Sequence, residues 1–112
     1  MANISWTYDI GAAQGVAEKG DQKIFIFFNA KGNRVGVTYE TDYFNDPTVR
    51  AQLDRFVPLK LDFPTSTRYA YKLGVMGAGK IVVIDRAETV LLTIDQMPQS
   101  AADLAKLLEG VK

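Results

Sequence analysis

KIFIFFNAKGNRVG, Lys23 to Gly36, decides how the chain is read. Ile24, Phe25, Ile26, Phe27 and Phe28 are β-branched or aromatic without polar alternation, the pattern of a strand covered on both faces in the middle of an α/β sheet. Open α/β sheets place their chemistry beyond the carboxyl ends of the strands. Asn29 to Gly36 are therefore where a site is expected, although they contain no complete catalytic motif.

Composition bounds what that site can do. The chain has 112 residues, one domain's worth, enough to bury roughly two-thirds of its unfolded surface. Thirteen basic and 13 acidic residues cancel, and no run of like charge marks a nucleic-acid or anionic-membrane partner. The longest apolar run, Ile24 to Phe28, is far short of the roughly 20 residues that cross a bilayer. No signal sequence opens the chain. It is expected to be soluble, either cytoplasmic or a periplasmic or exported domain that has lost its signal. There is no Cys and no His, which removes disulfides, thiolate nucleophiles, sulfur and imidazole metal ligands and the commonest general base. Most enzyme classes, and any cofactor or metal centre held by those ligands, become unexpected.

From the N-terminus, Asn3 to Trp6 is predicted as a short edge strand or extended lead-in, with Trp6 a core or rim anchor or a stacking platform. Asp9 caps a helix whose Ile10, Ala13, Val16 and Ala17 fall at helical spacing before Lys19-Gly20. Residues 33 to 44 carry two signals. Val35, Val37 and Tyr39 alternate as in a hairpin strand, whereas covering the second face of the central strand requires a helix there. Asp46-Pro47 starts a helix with Val49, Leu53 and Phe56 facing inward. Val57 to Asp62 reads as a strand, Phe63 to Ser66 as a loop capping a short helix through Leu73. Lys80 to Asp85 and Glu88 to Asp95 form a hairpin. Ser100 and Asp103 open an amphipathic helix with Leu104, Leu107, Leu108 and Val111 on one face. Glu40, Asp42, Asp46 and Asp62 match no metal-loop or paired-acid spacing, and Tyr39, Tyr43, Tyr69 and Tyr71 are expected to be half-buried.

Several of these residues carry a resemblance. The W-x-x-D of Trp6 to Asp9, the F-x-A of Phe28 to Ala30, the F-x-D-P of Phe44 to Pro47, Asp62 at a strand end and LGVMGAGKIVVID from Leu73 to Asp85 together resemble the thioredoxin-like superfamily, in its thioredoxin-related and periplasmic disulfide-reductase-like group. The resemblance covers nearly the whole chain. It implies an α/β/α three-layer sandwich around a mixed sheet of four to five strands, as a single domain over residues 1–112, and a helix rather than a hairpin strand from about Asn33.

Position by position, the resemblance also shows what the chain lacks. Counting from Ala30 and from Asp46-Pro47 gives one register, in which Asn33 and Gly36 occupy the two redox cysteine positions, Phe27 the buried carboxylate and Gly79 the cis-proline. Without proline the bond from Ala78 to Gly79 is expected to be trans. The implied function is a redox-inactive domain that binds a protein or peptide; the alternative is a thiol-disulfide oxidoreductase relative, or another thiol-independent enzyme on the same scaffold. Candidate contacts are Lys31, Asn33, Arg34, Thr65, Ser66, Met76, Gly77, Ala78 and Gly79, with Asn29 as a further donor and Met76 an adaptable apolar group. No catalytic residue, metal or cofactor is assigned.

Overall fold

The computed structural model describes residues 4–111; of the predicted lead-in, Asn3 lies outside them. Lys23–Asn29 is strand β1, and its five central residues are all buried. It pairs in parallel with β2, Phe56–Asp62, and antiparallel with β3, Lys80–Ile84, which pairs antiparallel with β4, Val90–Ile94. The order is β2-β1-β3-β4. The fifth strand is reduced to a bridge between Thr7 and Leu59. There Lys60 N–H donates to Thr7 and Thr7 N–H to Pro58, so the missing N–H of Pro58 lies on the outer side of β2, where the sheet tolerates it.

Alternate residues of β1 enter different cores. Phe25 and Phe27 join Tyr39, Tyr43, Phe44, Val49, Leu53, Phe56, Leu104 and Leu108 on one face. Ile24, Ile26 and Phe28 join Ala13, Ala17, Leu59, Ala70 and Leu73 on the other. The unbroken apolar run is thus the signature of a middle strand between two helical layers.

Helix α1, Ile10–Gly20, is capped by Asp9, whose carboxylate accepts from Ala12 N–H. It lies on the second face through Ala13 and Ala17, small residues that permit close approach, while Val16 is 48% exposed rather than inward-facing. Asp21, not Gly20, takes the left-handed position after the helix, at φ 51°. The contested segment is helical: α2, Arg34–Thr38, runs into a π-helical turn, Tyr39–Tyr43. The hairpin alternative fails because the side chain of Asn33 caps this helix, and because Val35 and Val37 are exposed whereas Gly36 and Tyr39 are buried. The wider turn, closed by Phe44 N–H to Tyr39 C=O at 2.8 Å, carries Tyr39, Tyr43 and Phe44 into the core. Those two tyrosines are accordingly more buried than expected. Helix α3, Pro47–Leu53, begins at the Asp46 cap; Phe56 belongs to β2 instead, opposite Lys23.

A 3-10 turn, Phe63–Thr65, precedes α4, Thr67–Lys72. The hairpin partner strand is shorter than predicted, since Glu88 takes a left-handed turn conformation at φ 65° and β4 begins only at Val90. Helix α5, Ala101–Glu109, has Ser100 accepting from Asp103 N–H at 3.1 Å. It buries Leu104 and Leu108, whereas Leu107 is 42% exposed. Arg55 closes its far end by donating to the carbonyls of Leu108 and Val111, a cation at a helix C-terminus where it is favoured.

Candidate functional site

β1 and β2 end side by side, Asn29 opposite Asp62, and the chain leaves β1 through Ala30 to Gly32 before the cap at Asn33. Asn33 N–H donates to Ala30 C=O at 3.0 Å, and Asn33 Oδ1 accepts from Gly36 N–H at 2.8 Å. The two positions that the resemblance aligns with cysteines are thus joined by a helix-capping hydrogen bond. Asn is among the best side chains for this role, because it satisfies an N–H that the first helical turn leaves without a partner.

Gly79 closes on the same point. Its φ is +77°, its N–H donates to Phe28 C=O at 2.7 Å, and a Cβ placed on it would lie 2.8 Å from Asn33 Oδ1 and 3.0 Å from Val35 Cβ. The Ala78–Gly79 bond is trans. Glycine is required here by conformation and by space. The N–H of Gly79, one of the candidate contacts, is therefore already used by Phe28 of β1.

Beneath the loop, Phe27 is fully buried. Its ring meets Trp6 at 6.1 Å, Tyr39 at 5.7 Å and Phe44 at 5.0 Å, the last two edge to face, a favoured geometry for aromatic pairs. Trp6 is a partly buried member of this cluster, a core anchor. The Tyr39 hydroxyl is buried with no hydrogen-bond partner among the described residues, and burial, then the neighbouring Tyr43, pushes its pKa up. The floor is aromatic, with the Tyr39 hydroxyl as an unpartnered polar group within it among the described residues.

A polar line that the sequence did not reveal runs beside it. Asn29 Nδ2 donates to Glu40 Oε1 at 3.1 Å, Lys60 Nζ bonds Glu40 Oε2 at 2.9 Å, and the same ammonium lies 4.9 Å from the centre of the Trp6 ring. Asn29 is consequently turned inward rather than offered as a donor to solvent. Its Oδ1 sits where a Cβ of residue 36 would be, 1.8 Å from that position, so only glycine fits at 36 while Asn29 keeps this rotamer. The one hint in the sequence is spacing: Gly36 and Glu40 are four apart and share a helix face.

The remaining candidates fall into two groups. Lys31, Arg34 and Met76 are exposed, Met76 by 72%, while Gly77 and Ala78 are partly covered. Neither Lys31 nor Arg34 has an ion-pair partner among the described residues. Thr65 and Ser66 instead line a cleft with Tyr8, Asp9, Ile10, Leu61 and α4. Thr65 is bound to Asp62 through both its N–H and its hydroxyl. No group of three or more metal-ligating side chains occurs among the described residues, and no described helix is long and apolar enough to cross a membrane.

No protein-family model matches the chain, and no curated protein does. Solved structures do. The C-terminal domain of Neisseria meningitidis DsbD, in its oxidised form, superposes with a TM-score of 0.79 at 13% identity, over 96% of this chain and 100% of that one. A DsbH oxidoreductase gives 0.82 at 15% identity, over 98% and 85%. A thioredoxin from Thermus thermophilus gives 0.77 at 20% identity, over 98% and 88%. At such identities the likeness concerns architecture. With its four-stranded mixed sheet between two helical layers, this chain has the thioredoxin-like fold, and it carries that fold without a single cysteine.

Proposed function

We propose that this single domain is a binding module which takes an extended peptide segment across the loop end of the sheet, between the start of α2 and the Met76 to Gly79 loop. The observation that carries the reading is the chemistry of the exposed rim there. Val35, 37% exposed and adjacent to Gly79, and Met76, 72% exposed, offer apolar surface; Lys31 and Arg34 flank it with charges that no described carboxylate neutralises. A partner with an apolar side chain between acidic ones matches that surface. Electrostatic complementarity would favour its approach and suppress basic competitors. Dithiol chemistry requires cysteine thiols, which the chain lacks. A thiol-independent enzyme would need a positioned acid, base or nucleophile at this rim, and Asn33 is held there as a cap.

The test is amide chemical-shift mapping with short peptides in which a central Leu is flanked by Glu, Ser or Lys. The Glu-flanked peptide should perturb Lys31, Asn33, Arg34, Val35 and Met76 to Gly79, and added salt should weaken it. A Lys31→Glu/Arg34→Glu variant should invert the preference between Glu- and Lys-flanked peptides. Perturbations confined to α5, or equal binding of all three peptides, would remove the reading.

A further inference from the structure

We propose that the cleft between the start of α1, the end of β2 and α4 is a binding site for a small amphipathic anion, a carboxylate on an aromatic or branched-alkyl body. This site is separate from the peptide rim. Its volume is about 490 Å³, within the roughly 300–1,000 Å³ of small-molecule sites.

The walls divide by chemistry. Ile10, Leu61 and Tyr69 form an apolar side, anchored in the core of the second sheet face. The ring of Tyr69 is held in place, because its hydroxyl donates to Glu88 Oε1 at 2.8 Å and Lys72 Nζ lies 5.8 Å from its centre. An apolar body would therefore meet a preformed surface.

The polar side is cationic and partly unused. Arg68 and Lys72 are four apart on α4 and share the helix face that lines the cleft. Lys72 is shared with Glu88 at 3.3 Å, whereas Arg68 has no ion-pair partner among the described residues. Ser66 precedes α4, yet its side chain makes no capping bond, leaving a partly buried hydroxyl facing the same space. The one carboxylate in the lining, Asp9, already accepts from Ala12 N–H at 2.9 Å. A carboxylate finds a fork of donors in Arg68 and a further donor in Ser66, and the guanidinium geometry suits it better than it suits a neutral or cationic group.

The probes are 3-phenylpropionate and 4-methylpentanoate, titrated into the full chain and followed by amide and methyl shifts, with 3-phenylpropanol as the neutral isostere. At least one acid should saturate in the millimolar range with shifts centred on Ile10, Leu61, Ser66 and Tyr69. The alcohol, and either acid on Arg68→Gln, should bind about tenfold more weakly, or ~1.4 kcal/mol. Arg68 is exposed, so the variant should keep the parent unfolding midpoint, and its binding of the Glu-flanked peptide should be unchanged. Non-saturating shifts for both acids, equal binding of acid and alcohol, or full affinity in Arg68→Gln would each overturn the proposal.

Discussion

Gly36→Ala should destabilise the protein, against the usual direction for glycine replaced inside a helix. The introduced Cβ would lie 1.8 Å from Asn29 Oδ1 and 2.8 Å from its Cγ, so Asn29 must rotate and give up its 3.1 Å bond to Glu40. A hydrogen bond to a charged group contributes about 1.5–3 kcal/mol. Because the Glu40 side chain is 39% exposed, solvent screening brings the loss nearer ~1–2 kcal/mol. The gain in helix propensity from Gly to Ala, about 0.8–1 kcal/mol, offsets part of it, leaving a net loss of up to ~1 kcal/mol. In an Asn29→Ala background the obstacle is gone, and the same Gly36→Ala change should stabilise by the propensity term alone. The four proteins of this cycle, compared by urea unfolding, should show a coupling energy of about 1–2 kcal/mol. Effects of Gly36→Ala that agree in the two backgrounds within about 0.5 kcal/mol would refute the argument that Asn29 and Gly36 are fitted to one another.

Gly79→Ala should cost about 1–3 kcal/mol, and more than Gly32→Ala, because both glycines have positive φ but only Gly79 has neighbours within 4 Å of an added Cβ; equal shifts in the urea midpoint would contradict this. Asp46 caps α3 with its carboxyl held below the ordinary value of 3.8, chiefly by the hydroxyl and then the N–H of Thr48. The stability contributed by its charge is therefore present above pH 3.8 and lost as the pH falls through the lower folded value. Thermal unfolding of wild type and Asp46→Asn, which keeps a cap but not the charge, should show a gap at neutral pH that closes in acid, and a gap independent of pH would count against it. Asn33→Cys/Gly36→Cys should lower the unfolding midpoint and oxidise slowly, since it removes the Asn33 cap and carries a Cβ into Asn29; adding Asn29→Ala should speed disulfide formation, read by free-thiol titration, without restoring the midpoint, because the Asn29–Glu40 bond stays lost.

Much of the architecture was legible because local signals and the global fold agreed. The run Ile24 to Phe28, the Asp46-Pro47 start and Ser100 with Asp103 each specify one local structure, and the structure has it. The sequence misled where the pattern was too short to determine a period. Val35, Val37 and Tyr39 alternate like a strand, but in the helix set by Asn33 the two valines point outward and only Tyr39 is buried. Val16 and Leu107 fit an inward helical stripe, yet in α1 the sheet takes Ala13 and Ala17, and α5 turns Leu104 and Leu108 inward. The π-helical turn has no composition signal, and it decides that Tyr39 and Tyr43 are buried together. At the site, counting gives the register that the resemblance implies for Asn33 and Gly36, whereas the line Asn29, Glu40, Lys60, Trp6 joins four separate segments and exists only once β1, the π-helical turn, β2 and the N-terminal lead-in are packed. Thr65 and Ser66, candidate contacts by resemblance, line a cleft with the start of α1 and α4.

The residues around the Asn33 cap are fitted to one another. Gly36 provides the room that Asn29 occupies, Asn29 is held by Glu40, and Glu40 is held by Lys60 over Trp6. On the other side, Asn33 caps the helix and its Oδ1 stands within 2.8 Å of where a Cβ on residue 79 would be, so a side chain at 79 is excluded while that cap exists. Phe27, which the resemblance aligns with a buried carboxylate, instead completes an aromatic cluster with Trp6, Tyr39 and Phe44, where burying a charge would be costly. Each residue makes its neighbour's identity necessary. Replacing Gly36 or Gly79 breaks a contact in this set, whereas the exposed side chains of Lys31, Arg34 and Met76 lie outside it. The start of α2 is therefore fixed by packing and capping, and the peptide-binding reading proposed above rests on the exposed edge beside it.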